Sequence, residues 1–243
     1  MGYALHAGLS AMAMATRLSP LGLRHRRAVE VLRDIPYRDS SSPAHRLDVY
    51  RPRRATAPRP VVLYVHGGGF TVLSKESHWL MASSFAERGF WVANINYRLA
   101  PRSPYPCALE DVAAAWLWLQ AHAAGLGGDP KRVILAGESA GANLITSLAL
   151  ACCHPLPAPW AGPVHARGVV PAAVLAACGI LDVSTPERFR TANPRLNPWA
   201  DRRILEVCSA YLGGLDAAAA EAALASPLRW LEGPIPTARR LPP

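Results

Sequence analysis

Short unbroken apolar runs punctuate the chain, at 61–65 (VVLYV), 90–95 (FWVANI), 132–136 (RVILA) and 172–178 (AAVLAAC). Runs of this length without strict alternation are expected of strands covered on both faces, as in a parallel sheet. Leu47-Asp48-Val49-Tyr50 alternates instead, which suits an outer strand. Between these runs the period lengthens. Leu109, Val112, Trp116 and Leu119 share one helical face, and residues 140–153 form a second helix that Pro155 stops. Residues 1 to about 35 read as helical with a break near Pro20. Residues 52–60 read as a loop, and 125–130 as the turn into the 132–136 strand. Strands alternating with helices predict an α/β fold with a mostly parallel, right-handed sheet flanked by helices.

Composition narrows this to one domain. A chain of 243 residues with 51% hydrophobic content buries a sizeable core. It holds no apolar run of about 18 residues, so no stable membrane span is expected. The first 20 residues lack a basic segment ahead of their apolar part, which argues against a secretory signal. Five cysteines (Cys107, Cys152, Cys153, Cys178 and Cys208) form no Cys-x-x-Cys pair, and the odd number points to a reducing, cytoplasmic setting. Cys152-Cys153-His154 does not read as a metal site, because adjacent helical residues point in different directions. The net charge of +9 comes largely from arginines before Pro60. No nucleic-acid-binding module accompanies them, so a solvated basic surface is expected and no nucleic-acid partner.

Two motifs carry chemistry. The 132–136 run leads into Gly137-Glu138-Ser139-Ala140-Gly141, followed by a helix. A strand, a sharp Gly-x-Ser-x-Gly turn and a helix lift a serine hydroxyl out as a nucleophile, with the helix head aimed where an oxyanion would form. Ser139 is the candidate nucleophile. The 61–65 run leads into His66-Gly67-Gly68-Gly69-Phe70, whose bare amides suit an oxyanion hole. A phosphate cradle would need a Gly-Lys-Ser/Thr ending that is missing here.

These motifs, together with Tyr97-Arg98-Leu99-Ala100-Pro101, Pro104-Tyr105-Pro106, Leu109-Glu110-Asp111 and Gly128-Asp129-Pro130, resemble the hormone-sensitive-lipase-type esterases of the α/β-hydrolase superfamily. The resemblance runs from about Leu47 to Pro243. It implies an α/β-hydrolase fold with a helical cap, hydrolysis of short- or medium-chain carboxylic esters, and neither cofactor nor metal. It places the oxyanion hole at the amides of Gly67, Gly68 and Ala140. It also makes His66 a loop-shaping residue and assigns cap contributions to 1–45 and 182–231. Glu138 stands where Asp is commoner in the family, and Ala142 where Gly is commoner.

A larger departure lies after Ser139. The chain order of such hydrolases is Ser, then Asp or Glu, then His. Here the only later histidines, His154 and His165, precede every later carboxylate, the first of which is Asp182. The expectation is a single domain, 1–243, that is C-terminally incomplete: its last strands and the catalytic acid and histidine are missing, and it is nearly inactive as it stands. The strand at 172–178 would then form an open edge that invites association. A natural pseudoenzyme that holds a small ligand is the alternative, and an amidase or peptidase activity is a third. Among the remaining residues, His78 and His122 are expected at satisfied or surface positions on helices. Tyr97 and Arg98 either line the site or brace it, and Glu110 and Asp111 serve the start of their helix.

Overall fold

The computed structural model describes residue 8 and residues 15–54, 57–216, 220–233 and 240–242. Its six strands are β1 (Val29–Pro36), β2 (Arg46–Pro52), β3 (Arg59–Val65), β4 (Trp91–Ile95), β5 (Gly128–Glu138) and β6 (Ala173–Ala177). They form one sheet in the order β1-β2-β4-β3-β5-β6. β1 and β2 pair antiparallel, as do β2 and β4, and the remaining pairs are parallel. The helices around the sheet are α1 (Pro20–Ala28), α2 (Trp79–Glu87), α3 (Cys107–His122), α4 (Ala140–Cys153) and α5 (Ala161–Ala166). After β6 come α6 (Glu187–Ala192), α7 (Pro198–Leu212), α8 (Ala220–Ala225) and α9 (Pro227–Glu232).

The apolar runs are the middle of this sheet. Residues 61–65 of β3 and all five residues of β4 are buried, as expected of strands with helices on both faces. The larger core holds Trp91, Trp116, Leu119, Leu135 and Leu148, and a smaller cluster around Tyr64, Trp79 and Val92 fills the other face. Helix α4 is buried along almost its whole length, from Ala140 to Cys153, which includes Cys152 and Cys153. Among the described residues, no helix is long and apolar enough to cross a membrane.

Three local expectations are corrected. Residues 29–36 are a strand of the sheet rather than a helix; Val29 and Val31 pack on the smaller core cluster and Leu32 and Ile35 on the larger one, with a bulge between Leu32 and Ile35 in the antiparallel pairing with β2. β1 consequently takes the edge, and β2 lies one strand further in. β6 is more exposed than a doubly covered strand, with Leu175 at 48%, because among the described residues it is paired on one side only. Most of residues 1–14, and Pro243, lie outside the described residues.

The antiparallel side is pinned by a buried ammonium. Lys75, 2% exposed, donates to Asp34 at 2.8 Å and to Asp48 at 2.9 Å, and pairs with Glu76 at 2.6 Å. Burial opposes its charge, but the three carboxylates outweigh that and hold the ammonium above its ordinary pKa. Lys75→Met should cost about 3–5 kcal/mol in urea denaturation, since it leaves the fully buried Asp48 with only the half-exposed Arg33 at 3.5 Å as a cation. Adding Asp48→Asn should recover part of that loss.

Candidate active site

Register brings the two motifs together. Val65 of β3 is the pairing partner of Gly137 of β5, so the segments that follow them leave the same end of the sheet on adjacent strands. Gly67 is pressed against the serine turn. A Cβ at that position would lie 2.9 Å from the Glu138 carbonyl oxygen and 3.4 Å from the Ser139 Cβ.

Ser139 is held in a turn that few residues adopt. Its φ of 51° and ψ of −116° lie outside the common regions for an L-residue, at a cost on the order of 1–3 kcal/mol. Packing on both sides enforces this conformation. The Ser139 amide donates to the Ala177 carbonyl of β6 at 2.8 Å, and the Ser139 carbonyl accepts from Asn143 of α4 at 3.3 Å. The side chain is partly exposed.

The glycine loop turns back beneath it. Gly68, at φ +107°, accepts from the amides of Thr71 and Val72, and a Cβ on it would meet the Val72 carbonyl oxygen at 2.1 Å. Only glycine fits both constraints. Among the described residues, the amides of Gly67 and Gly68 donate to no backbone carbonyl. The amide of Ala140 belongs to the first turn of α4, where helix amides have no partner within the helix.

A stack of rings supports this loop. The His66 Nδ1 lies 2.7 Å from the Gly67 carbonyl oxygen, and its ring stacks on Tyr97 with centroids 4.3 Å apart. The buried Tyr97 hydroxyl donates to the His66 carbonyl at 2.9 Å, and burial raises its pKa. Tyr97 is thus a brace. Arg98 likewise serves structure, gripping Asp111 and Glu110. Asp111, expected to serve the helix dipole, is instead a fully buried anchor for Arg98 and Arg38, with the His45 ring 3.2 Å away.

Beyond His66 stands His78, an interaction that sequence reasoning missed. It precedes α2 at the cap position, and its Nε2 lies 2.5 Å from the Glu138 Oε1, one residue before Ser139. No local pattern marks two residues sixty positions apart. The His78 hydrogen bond holds the Glu138 carboxyl below its ordinary pKa, against the opposing effect of burial. A lowered carboxylate stabilises the fold above its unfolded pKa and loses that contribution as pH falls through the folded value. Glu138→Gln should therefore destabilise by less than about 1 kcal/mol at pH 6, since the carboxylate is part-exposed, and the gap from wild type should close at pH 3.

Helix α7 lies over the glycine loop. Tyr211 stacks on Phe70 with centroids 3.8 Å apart, and its carbonyl accepts from the Tyr105 amide at 2.7 Å. Val207 fills the space where a Gly69 side chain would stand. The Asn143 Nδ2 of α4 donates to the carbonyls of Ile180 and Ala225 at 2.8 and 3.0 Å, tying the 180–225 region down beside the serine turn.

His154 stands far from Ser139. Helix α4 has 14 residues, about 21 Å of rise, and separates Ser139 at its head from His154 at its tail. His165 lies on α5, the next helix after that tail. His122 is exposed at the end of α3, with its ring on the Trp118 carbonyl. The buried Asp182 carboxylate is taken up by Ser184, Thr185 and Arg188.

A family model described as alpha/beta hydrolase fold matches residues 62–243. The hormone-sensitive lipase of Bos taurus is 42% identical over 101 residues, 41% of this chain and 13% of that protein. Carboxylesterase NlhH of Mycobacterium tuberculosis (strain ATCC 25618 / H37Rv) is 40% identical over 119 residues, 49% of this chain and 34% of its own. These matches therefore span a minor part of each relative's length. Among solved structures, a bacterial heroin esterase superposes with a TM-score of 0.70 at 27% identity, covering 91% of this chain and 67% of the other. An esterase from the bacterial hormone-sensitive lipase family gives 0.65 at 29% identity, with 92% and 65% covered.

Proposed function

The chain belongs to the alpha/beta hydrolase fold family, and from that premise we propose that it is a carboxylic ester hydrolase with Ser139 as nucleophile. The observation that carries this reading is the strained Ser139 turn wedged against Gly67 at the ends of two adjacent parallel strands. The Ser139 hydroxyl attacks the ester carbonyl while a base takes its proton, and the alcohol leaves as an acyl-serine forms. Water then cleaves that ester and frees the acid. The amides of Gly67, Gly68 and Ala140 face the developing oxyanion, where one such donor is worth about 3–4 kcal/mol. The substrates are small esters with short or medium acyl chains, in line with the esterases and lipases among its relatives. The proposed base is missing from residues 1–243, because both histidines after Ser139 precede every later carboxylate and His154 stands a helix length away. The 243-residue polypeptide alone is accordingly nearly inactive.

Reaction with a small alkyl fluorophosphonate in the presence of imidazole as a surrogate base, followed by peptide mass spectrometry, tests the assignment. The adduct is expected on Ser139 and is expected to vanish in Ser139→Ala. Labelling spread over other serines would overturn it.

A further inference from the structure

A cavity lies at the antiparallel edge, between α1, β1 and the start of α2, with a volume of about 780 Å³. Small-molecule sites run from about 300 to 1,000 Å³. Neither Ser139 nor the glycine triplet lines it. Its walls are largely apolar, Val29 and Trp79 among them.

Three side chains of this cavity, Tyr50, Arg17 and His25, carry buried polar atoms without a hydrogen-bond partner among the described residues; His25 pairs through Nδ1 with Glu87 and leaves its Nε2 open. Tyr50, 1% exposed, lines it, and among the described residues its hydroxyl has no hydrogen-bond partner. Arg17 lies over the Trp79 ring at 5.6 Å, yet its Nε and one terminal nitrogen are buried and, among the described residues, without a hydrogen-bond partner. Buried polar groups in folded proteins are mostly satisfied; unpartnered ones also occur here at Tyr64 and Tyr211, outside this cavity, but a phenol and a guanidinium left open together on one cavity mark a ligand's place. Arg26, Arg33 and Arg53 add positive charge to the wall. Lys75 and Arg33 are shared among Asp34, Glu76 and the buried Asp48, but the five cations on the wall (Arg17, Arg26, Arg33, Arg53 and Lys75) still outnumber these three carboxylates by two. The charge left over is positive, and the surface around it is apolar.

We propose that this cavity binds an anionic amphiphile, with its carboxylate or phosphate head on Arg17 and the Tyr50 hydroxyl and its acyl tail along Val29 and Trp79. A guanidinium can pair with two oxygens of such a head, and the phenol donates a further hydrogen bond. Arg17 thereby gains the hydrogen bonds it lacks while its cation–π contact with Trp79 stays in place. The site is independent of the ester-hydrolase reading and would stand if that reading failed.

Titration calorimetry and Trp fluorescence with dodecanoate, dodecyl phosphate and dodecanol test it, below the micellar concentration of each. One saturable site per chain is expected for at least one of the anions, and the tighter of the two distinguishes a free fatty acid from a lipid headgroup. Shortening the tail from twelve to ten carbons should weaken binding about tenfold. Arg17→Gln should weaken it about tenfold or more, and Tyr50→Phe, which keeps the ring and the fold, about fivefold. Ser139→Ala should leave it unchanged. Absence of saturable binding, dodecanol binding as tightly as the anions, or unchanged affinity in both Arg17→Gln and Tyr50→Phe would overturn the proposal. Loss of binding in Ser139→Ala would do the same, by moving the amphiphile to the serine cleft.

Discussion

Hydrolysis of p-nitrophenyl butyrate by the 243-residue polypeptide is expected to run on the order of a millionfold below a hydrolase of this type with all three catalytic groups in place. Ser139→Ala should lower that residual rate by less than about tenfold. The second expectation follows from the first, because a nucleophile and its base act as one unit. Once the base is gone, removing the nucleophile as well costs little more. The residual rate would come from the amides of Gly67, Gly68 and Ala140 and from substrate binding, which sustain about a thousand- to ten-thousandfold over water in comparable enzymes. The geometry behind this is the length of α4, which puts His154 about 21 Å from the serine turn. Free imidazole can reach a partly exposed serine, so imidazole added at millimolar concentration should raise turnover in wild type and leave Ser139→Ala at its background. Fast Ser139-dependent turnover without imidazole would show that a base within these residues serves the serine, contrary to the proposal.

What the amino-acid order discloses and what it hides divides along physical lines. β3, β4 and β5 are legible because burial on both faces demands apolar runs, and α3 and α4 because a helix presents every third or fourth residue to the core. The pairing of Val65 with Gly137 follows once both motifs are seen to end parallel strands. From the sequence alone β1 reads as helix, because VEVLRDIP lacks sustained alternation and follows a helical segment. Only pairing with β2 decides its state. The His78–Glu138 contact, the Lys75 cluster and the Phe70–Tyr211 stack left no trace in the sequence. Each joins residues brought together by the finished fold, and a lone histidine or lysine carries no period. Asp111 is legible as structural, but its role is not. Its place in the first turns of α3 suggested the dipole, whereas its burial among Arg98, Arg38 and His45 makes it the centre of a tertiary ion cluster.

Gly141→Ala should destabilise the protein by on the order of 5 kcal/mol, enough to leave little of it folded. A Cβ at this position would stand 2.1 Å from the Val65 carbonyl oxygen and 2.7 Å from that of His66, and both are backbone atoms of the segment that carries the glycine triplet. A flexible side chain could swing aside, but a paired strand cannot move without breaking its ladders to β4 and β5. The helix behind Ser139 therefore has to approach β3 without a side chain, and that approach sets the distance between the serine turn and the loop facing it. Gly162 of α5 provides the contrast, since nothing lies within 4 Å of where its Cβ would be. Gly162→Ala should be neutral or stabilise by up to about 1 kcal/mol through helix propensity alone. Urea denaturation of the two variants side by side separates a general glycine effect from a contact effect. Equal stabilities would mean that α4 and β3 have room to part, and the close seat of Gly67 against Ser139 would then not be imposed by packing.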